Sequence, residues 1–261
     1  MIALATPHDA ALHELIDAVR DAADRRRPLR IVGGGSKDFY GGGEPGERPG
    51  EVLSLKGLAG ISAYEPTELV VTVRAGTPLA ELEAALAEKG QCLPFEPPRF
   101  GEPGAGGGTV GGMVAAGLAG PARAAVGGVR DYLLGASLLN GRAELLSFGG
   151  QVMKNVAGYD VARSLAGSMG QLGVICEVSL KVLPVAPGRL TLRFDMDQAN
   201  ALRHANERTG QALPIAATAW WDGALILRLQ GARAAVASAA QRLGGEAIPE
   251  ALADGFWEAL R

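Results

Sequence analysis

Only two cysteines and three histidines occur in the 261 residues, and aromatic side chains make up 5% of the chain. Cys92 and Cys176 stand far apart, without CxxC spacing or neighbouring histidines, so neither a disulfide framework nor a thiolate metal site is expected. Both thiols are read as reduced and structural. His8 and His13 fall on the first helical segment and His204 on a late one, positions more often solvated or packed than catalytic. No run of about 18 apolar residues is present, and the N-terminus lacks a basic stretch followed by an apolar one, which argues against a membrane span and a secretory leader. Charge is sparse as well. With 20% charged residues, a net charge of -3 and one basic cluster at Arg25, Arg26 and Arg27, the chain offers no surface suited to a phosphate polymer, so nucleic acid is not an expected partner.

What the chain has is glycine, 38 residues of it, about twice the ~7% of average proteins and without a collagen period. The excess is local: eleven of the 28 residues from Gly101 to Gly128 are Gly, as expected where backbone turns tightly or approaches a ligand. With 48% hydrophobic residues the length suffices for a core and two domains.

The pattern along the chain alternates helix and strand. Thr6 as cap and Pro7 at the first helical position open a helix to about Arg25, with Leu12, Leu15, Ile16 and Val19 on one face. Strands follow at Leu29 to Val32, Val52 to Leu55 and Leu69 to Arg74. Thr77 caps a second helix with the stripe Leu79, Leu82, Leu86, ended by Gly90. The stretch FEPPRFGEPGAGGG, rich in residues that break both helix and strand, reads as a loop joining two lobes. The second lobe holds a small-residue helix near Gly112 to Leu118, a strand from Tyr132 to Leu139, a turn at Asn140-Gly141, a short helix from Asp160 to Leu165 and a strand from Gly173 to Leu183. After Pro187 the order is β-α-β-β-α, ferredoxin-like but one strand short, and then another helix from Ala253.

Two glycine clusters invite a ligand. Gly33-Gly34-Gly35-Ser36-Lys37 lies directly after a strand, where consecutive N–H groups can converge on an anion and Ser36 adds a hydroxyl; a plain tight loop would look the same in isolation. Gly106 to Gly111 satisfies G-x-G-x-x-G with Asp131 some way on, but it follows a Pro-rich loop instead of a strand, which counts against a Rossmann domain. Taken together, the two loops suggest a pyrophosphate gripped from both sides.

GGGSK after a strand, LPFEPPRFG, TVGGMVAAGLAG, VRDYLLGASLLNGR, VMKNVAGYDVARSLAGSMGQLGVICEVSLKVLP and WWDGALILRL together resemble the E-type FAD-binding subunits of bacterial glycolate oxidase, within the p-cresol methylhydroxylase and vanillyl-alcohol oxidase superfamily. The resemblance covers the whole chain. It implies an α+β protein: a two-lobed PCMH-type FAD-binding domain over 1–187 (lobe one 1–95, lobe two 100–187) and a partial ferredoxin-like cap over 188–261. It further implies that Gly33, Gly34, Gly35, Ser36 and Lys37 form one pyrophosphate loop and that Thr109, Val110, Gly111, Gly112 and Ala116 belong to the other, with Gly170, Gly173 and Ile175 supporting the ribose and adenine end. Lys154 and Asn155 match a polar pair of the family pattern, near the flavin or in a solvated turn, and Asp160 is a helix cap.

The first loop has Ser36 and Lys37 where related families place a histidine for covalent flavin, so FAD is expected to be non-covalent. Three scattered histidines cannot form the His-rich metal site of the D-2-hydroxy-acid dehydrogenases, so no metal is expected and catalytic residues stay unassigned. The resemblance implies a FAD-dependent oxidoreductase acting within a complex, oxidising glycolate to glyoxylate beside a companion flavoprotein subunit and an iron-sulfur subunit. Its place is cytoplasmic, or peripheral at the inner membrane through those partners. Family chains ordinarily continue beyond FWEALR, so the sequence is expected to be a fragment or to have its cap completed by a partner. An NADPH-dependent UDP-N-acetylenolpyruvoylglucosamine-type reductase and a non-catalytic flavin-binding assembly subunit are the alternatives.

Overall fold

The computed structural model describes residues 9–40, 50–100, 108–150 and 160–261. Thr6, Pro7, His8, Gly106, Gly107, Lys154 and Asn155, singled out above, lie outside the described residues. The chain divides into two compact units, the first comprising Met1–Leu93, Pro97–Leu118 and Gly128–Leu183, the second Pro94–Glu96, Ala119–Gly127 and Pro184–Arg261.

In the first unit, helix α1 (Ala10–Asp24) is capped by Asp9, whose carboxylate accepts from the Leu12 N–H at 3.3 Å, where the sequence suggested Thr6. Its buried face is Leu12, Leu15, Val19 and Ala22, the three-to-four spacing of an amphipathic helix. Strands β1 (Leu29–Val32) and β2 (Glu51–Ser54) pair in parallel. A second, antiparallel sheet holds β3 (Ile61–Glu65), β4 (Val70–Arg74), β5 (Leu133–Leu139), β6 (Leu145–Gly149) and β7 (Val174–Lys181), in the order β3-β4-β7-β5-β6.

Strands from either side of the Pro-rich stretch share one sheet, and the sheets part between Ser54 and Ile61. The reason lies in β4: Val70, Val71, Thr72 and Val73 are all buried, so the strand needs a partner on each edge. β7, also buried on both faces, supplies one, and Thr72 and Ser179 satisfy each other across the pair with hydroxyls 2.9 Å apart. Strands β3 and β6, half exposed and short on alternation, were not foreseen.

Helix α2 (Leu79–Ala87) buries Leu79, Leu82 and Leu86 as its spacing predicts, but Thr77 does not cap it. The Thr77 hydroxyl instead donates to the Arg74 carbonyl at 2.7 Å and accepts from the Gly60 N–H at 2.9 Å, tying down the turn after β4. Helix α3 (Val110–Ala116) has Thr109 as its cap and ends at Gly117, whose φ of 64° is left-handed. Asp160 caps the short helix Val161–Ser164 through the Arg163 N–H, as read from the sequence.

The second unit carries β8 (Gly188–Asp195), α4 (Gln198–Thr209), β9 (Ile215–Trp221), β10 (Ala224–Gly231), α5 (Arg233–Leu243), β11 (Glu246–Ile248) and α6 (Glu250–Ala259). Its antiparallel sheet runs β9-β10-β8-β11. Strand β11 completes the β-α-β-β-α-β order that the sequence left one strand short; three residues after a Gly pair are too few to show alternation. One sheet face packs Leu192, Leu227 and Leu229 against Val236 and Ala239 of α5. On the other, Trp257 of α6 joins Ala217, Ala224 and Ile226. Arg228, 6% exposed, pairs with Glu96 at 2.7 Å and stacks on Trp257, so this buried cation is spent on packing within the unit. No helix among the described residues is long and apolar enough to cross a membrane.

Candidate functional site

β1 leads into the first glycine loop because its four half-buried residues end where Gly33 and Gly34 remove side chains. The absence is required: a Cβ on Gly33 would collide with the Thr109 hydroxyl, and one on Gly34 would lie 3.0 Å from the Gly108 Cα. Gly108 in turn has a φ of 100°, and a Cβ there would meet Ser36 Oγ at 2.7 Å. The two glycine segments are therefore pressed backbone to backbone.

Around this junction opens a cleft of about 150 Å3. Gly33, Gly34, Gly35, Ser36, Lys37, Thr109, Gly111, Gly112, Ala116, Gly170, Gly173 and Ile175 line it, together with Ile31, Val32, Asp38, Ala115 and Met169, which the sequence did not single out. Ile31 and Val32 could have been inferred as the end of the strand that carries the loop, and Met169 has a φ of 52°, a left-handed conformation that sequence alone does not announce. Pockets for whole drug-sized ligands measure about 300–1,000 Å3, so a cleft of this volume suits one segment of a longer ligand, such as its phosphate bridge.

Hydrogen-bond accounting separates the two segments. Among the described residues, the amides of Gly33, Gly34, Gly35, Ser36 and Lys37 donate to no chain carbonyl, although the loop is held by bonds such as Asp38 N–H to the Gly35 carbonyl. Five neighbouring donors without a chain acceptor among the described residues are left for water or an anion. In the second segment three donors are spent: Val110 N–H goes to the Thr77 carbonyl at 2.9 Å, Gly111 N–H to the Ala75 carbonyl at 2.8 Å, and Gly112 N–H to the Thr109 hydroxyl at 3.3 Å. The expectation that this backbone offers its N–H groups to a phosphate is corrected for these three residues. Val110 is also wholly buried and does not line the cleft. Gly111 is glycine for packing, since a Cβ would lie 2.6 Å from the Ala75 Cβ.

The charges around the cleft are few. Asp38 faces Arg30 at 3.7 Å, and burial lowers the Lys37 pKa below that of a solvated lysine. The remaining titratable groups noted in the sequence lie elsewhere. His13 bonds to the Asp9 carbonyl on α1, and His204 pairs with Arg208 on α4, with its pKa lowered by burial and then by that guanidinium. Burial pushes the Cys176 thiol up to about 12, so it is inert as a nucleophile. Among the described residues no three His, Cys, Asp or Glu side chains gather as a metal site.

The glycine-lined cleft fits an anionic ligand, and comparison with known proteins gives that ligand a class. A model of the FAD-binding domain matches residues 3–149. The glycolate oxidase subunit GlcE of Escherichia coli is 45% identical over 95% of the chain and 67% of its own length. The glycolate oxidase subunit GlcD of Bacillus subtilis is 28% identical, and the match covers 72% of the chain but 41% of that protein. Among solved structures, an alkyldihydroxyacetonephosphate synthase matches with a TM-score of 0.70 at 18% identity, covering 97% of the chain and 57% of the synthase, which speaks to the fold alone. The chain thus spans two thirds of one relative and less than half of another.

Proposed function

Because the chain belongs to the FAD-binding domain family, we propose that it is the FAD-binding subunit of a glycolate oxidase, and that the cleft at Gly33–Lys37 holds the diphosphate of a non-covalent FAD. The observation that carries this placement is a glycine-lined cleft bordered by five consecutive residues, Gly33 to Lys37, whose amides donate to no chain carbonyl among the described residues. Those amides and the Ser36 hydroxyl bind the phosphate oxygens. Thr109 and Gly108 hold the loop from behind, Ala116 and Gly112 form the floor, and Gly170, Gly173 and Ile175 carry the ribose and adenine side. When bound, FAD supplies a two-electron acceptor for oxidation of a small 2-hydroxy acid, here glycolate to glyoxylate. The chain's part is to bind, orient and shield it.

The reading places the chain beside a companion flavoprotein subunit and an iron-sulfur subunit that takes the electrons onward, because the relatives it resembles are themselves named as glycolate oxidase subunits. The test is to purify the chain with its flavin, precipitate it with acid, and assay glycolate-dependent dye reduction with and without the companion subunits. All flavin should enter the supernatant, and activity should appear only in the complex. Flavin kept in the pellet, or rapid glycolate oxidation by the chain alone, would overturn the corresponding part of the reading.

A further inference from the structure

Among the described residues Lys37 is the one cation that lines the cleft. It is partly buried, burial disfavours its charge, and among the described residues it has no carboxylate partner. Its Nζ lies 5.4 Å from the centroid of the Phe100 ring, within the ~6 Å reach of a cation–π contact. Phe100 is itself held edge-to-face by Phe39 at 5.2 Å. Gly108 closes the other side: a Cβ there would reach Lys37 Nζ at 3.5 Å, so the ammonium rests over the junction of the two glycine segments.

Five residues whose amides have no chain acceptor among the described residues line the same small cleft as this ammonium, and the one carboxylate among the described lining residues, Asp38, already faces Arg30 at 3.7 Å. Such an arrangement is unfavourable until an anion enters, and a ring face can orient the cation without neutralising it. We propose that Lys37 is the specificity-determining residue of the cleft, selecting the diphosphate-bearing form of the flavin over neutral flavin, with Phe100 as the positioning residue that holds its ammonium toward the phosphates. The inference rests on the FAD reading above and adds to it a division of labour: amides supply geometry, Lys37 supplies charge.

The test measures binding to the flavin-stripped full chain with four probes, FAD, ADP, riboflavin and adenosine, at two salt concentrations. Lys37→Met should weaken FAD and ADP roughly ten- to hundredfold and flatten their salt dependence, while leaving riboflavin and adenosine unchanged. Lys37→Arg should stay within a few-fold of the parent, which guards against reading a misfolded Met variant as a positive result. Phe100→Leu should lose part of the same affinity, and much less than additively once Lys37 is Met. A parent chain that fails to bind FAD sinks the cofactor reading itself. A parent that binds FAD, with Lys37→Met matching it in affinity and salt slope, sinks only the assignment of Lys37. Equal losses for charged and neutral probes would likewise overturn it, showing a structural role.

Discussion

The two glycine segments that meet at the cleft look alike in sequence and differ in where most of their amides go. The amides of Gly33 to Lys37 have no chain acceptor among the described residues, whereas in the second segment the missing side chains let a helix sit against the turn after β4 with the amides of Val110, Gly111 and Gly112 consumed by Thr77, Ala75 and Thr109. Glycine density therefore signals close backbone approach without saying whether ligand or protein is approaching. The count of unspent N–H groups makes that distinction.

The sharpest way to break this contrast is Gly111→Val. Its side chain would drive into the Ala75 Cβ and backbone, so the fold should lose about 3 kcal/mol whether or not FAD is present. Chemical denaturation of the flavin-free chain reads this; an unchanged midpoint with lost FAD binding would return Gly111 to the ligand. Gly35→Ala probes the opposite segment. Gly35 has a φ of 74° and only Asp38 nearby, so about 1–2 kcal/mol of left-handed strain falls on the donor loop. FAD titration should show a loss of roughly tenfold, with no overlap in the core to explain it.

A smaller effect should link the segments. Thr109→Ala removes a helix cap for about 1 kcal/mol but also the hydroxyl that a Cβ on Gly33 would strike. Gly33→Ala should hence be less damaging in the Thr109→Ala background than alone, and strict additivity of the two denaturation midpoints would show that the segments do not touch. Smallest of all is Gly90→Ala, with a φ of 64° and nothing within 4 Å. It should cost about 1 kcal/mol through backbone strain and leave FAD affinity where it was; altered affinity would mean that general destabilisation, not loop geometry, governs the other variants.

Much of the fold was legible where a pattern is strong enough to survive without its surroundings. The α1 stripe, the β-branched run of β4 and the Asp160 cap needed no tertiary partner to be recognised. Strands β3, β6 and β11 were missed because an edge strand is buried on one side at most, and β11 has only three residues. Thr77 was misread for a related reason. A Thr before Pro and an apolar stripe has the pattern of a cap, yet its hydroxyl had nearer partners in the preceding turn, contributed by Gly60, 17 residues away.

Local chemistry determined from the sequence alone that a glycine loop follows a strand, that a lysine and a serine end it, and that no histidine stands there to bond a flavin. These are properties of neighbours along the chain. Tertiary structure alone decided that β4 takes β7 as a partner, joining strands from either side of the Pro-rich stretch, and that Ala75 and Thr77 consume the amides of Gly111 and Val110. It also brought Phe100 beneath Lys37. Each of those outcomes depends on which acceptor or ring face reaches a group first, a matter of distance in space that residue order does not encode locally.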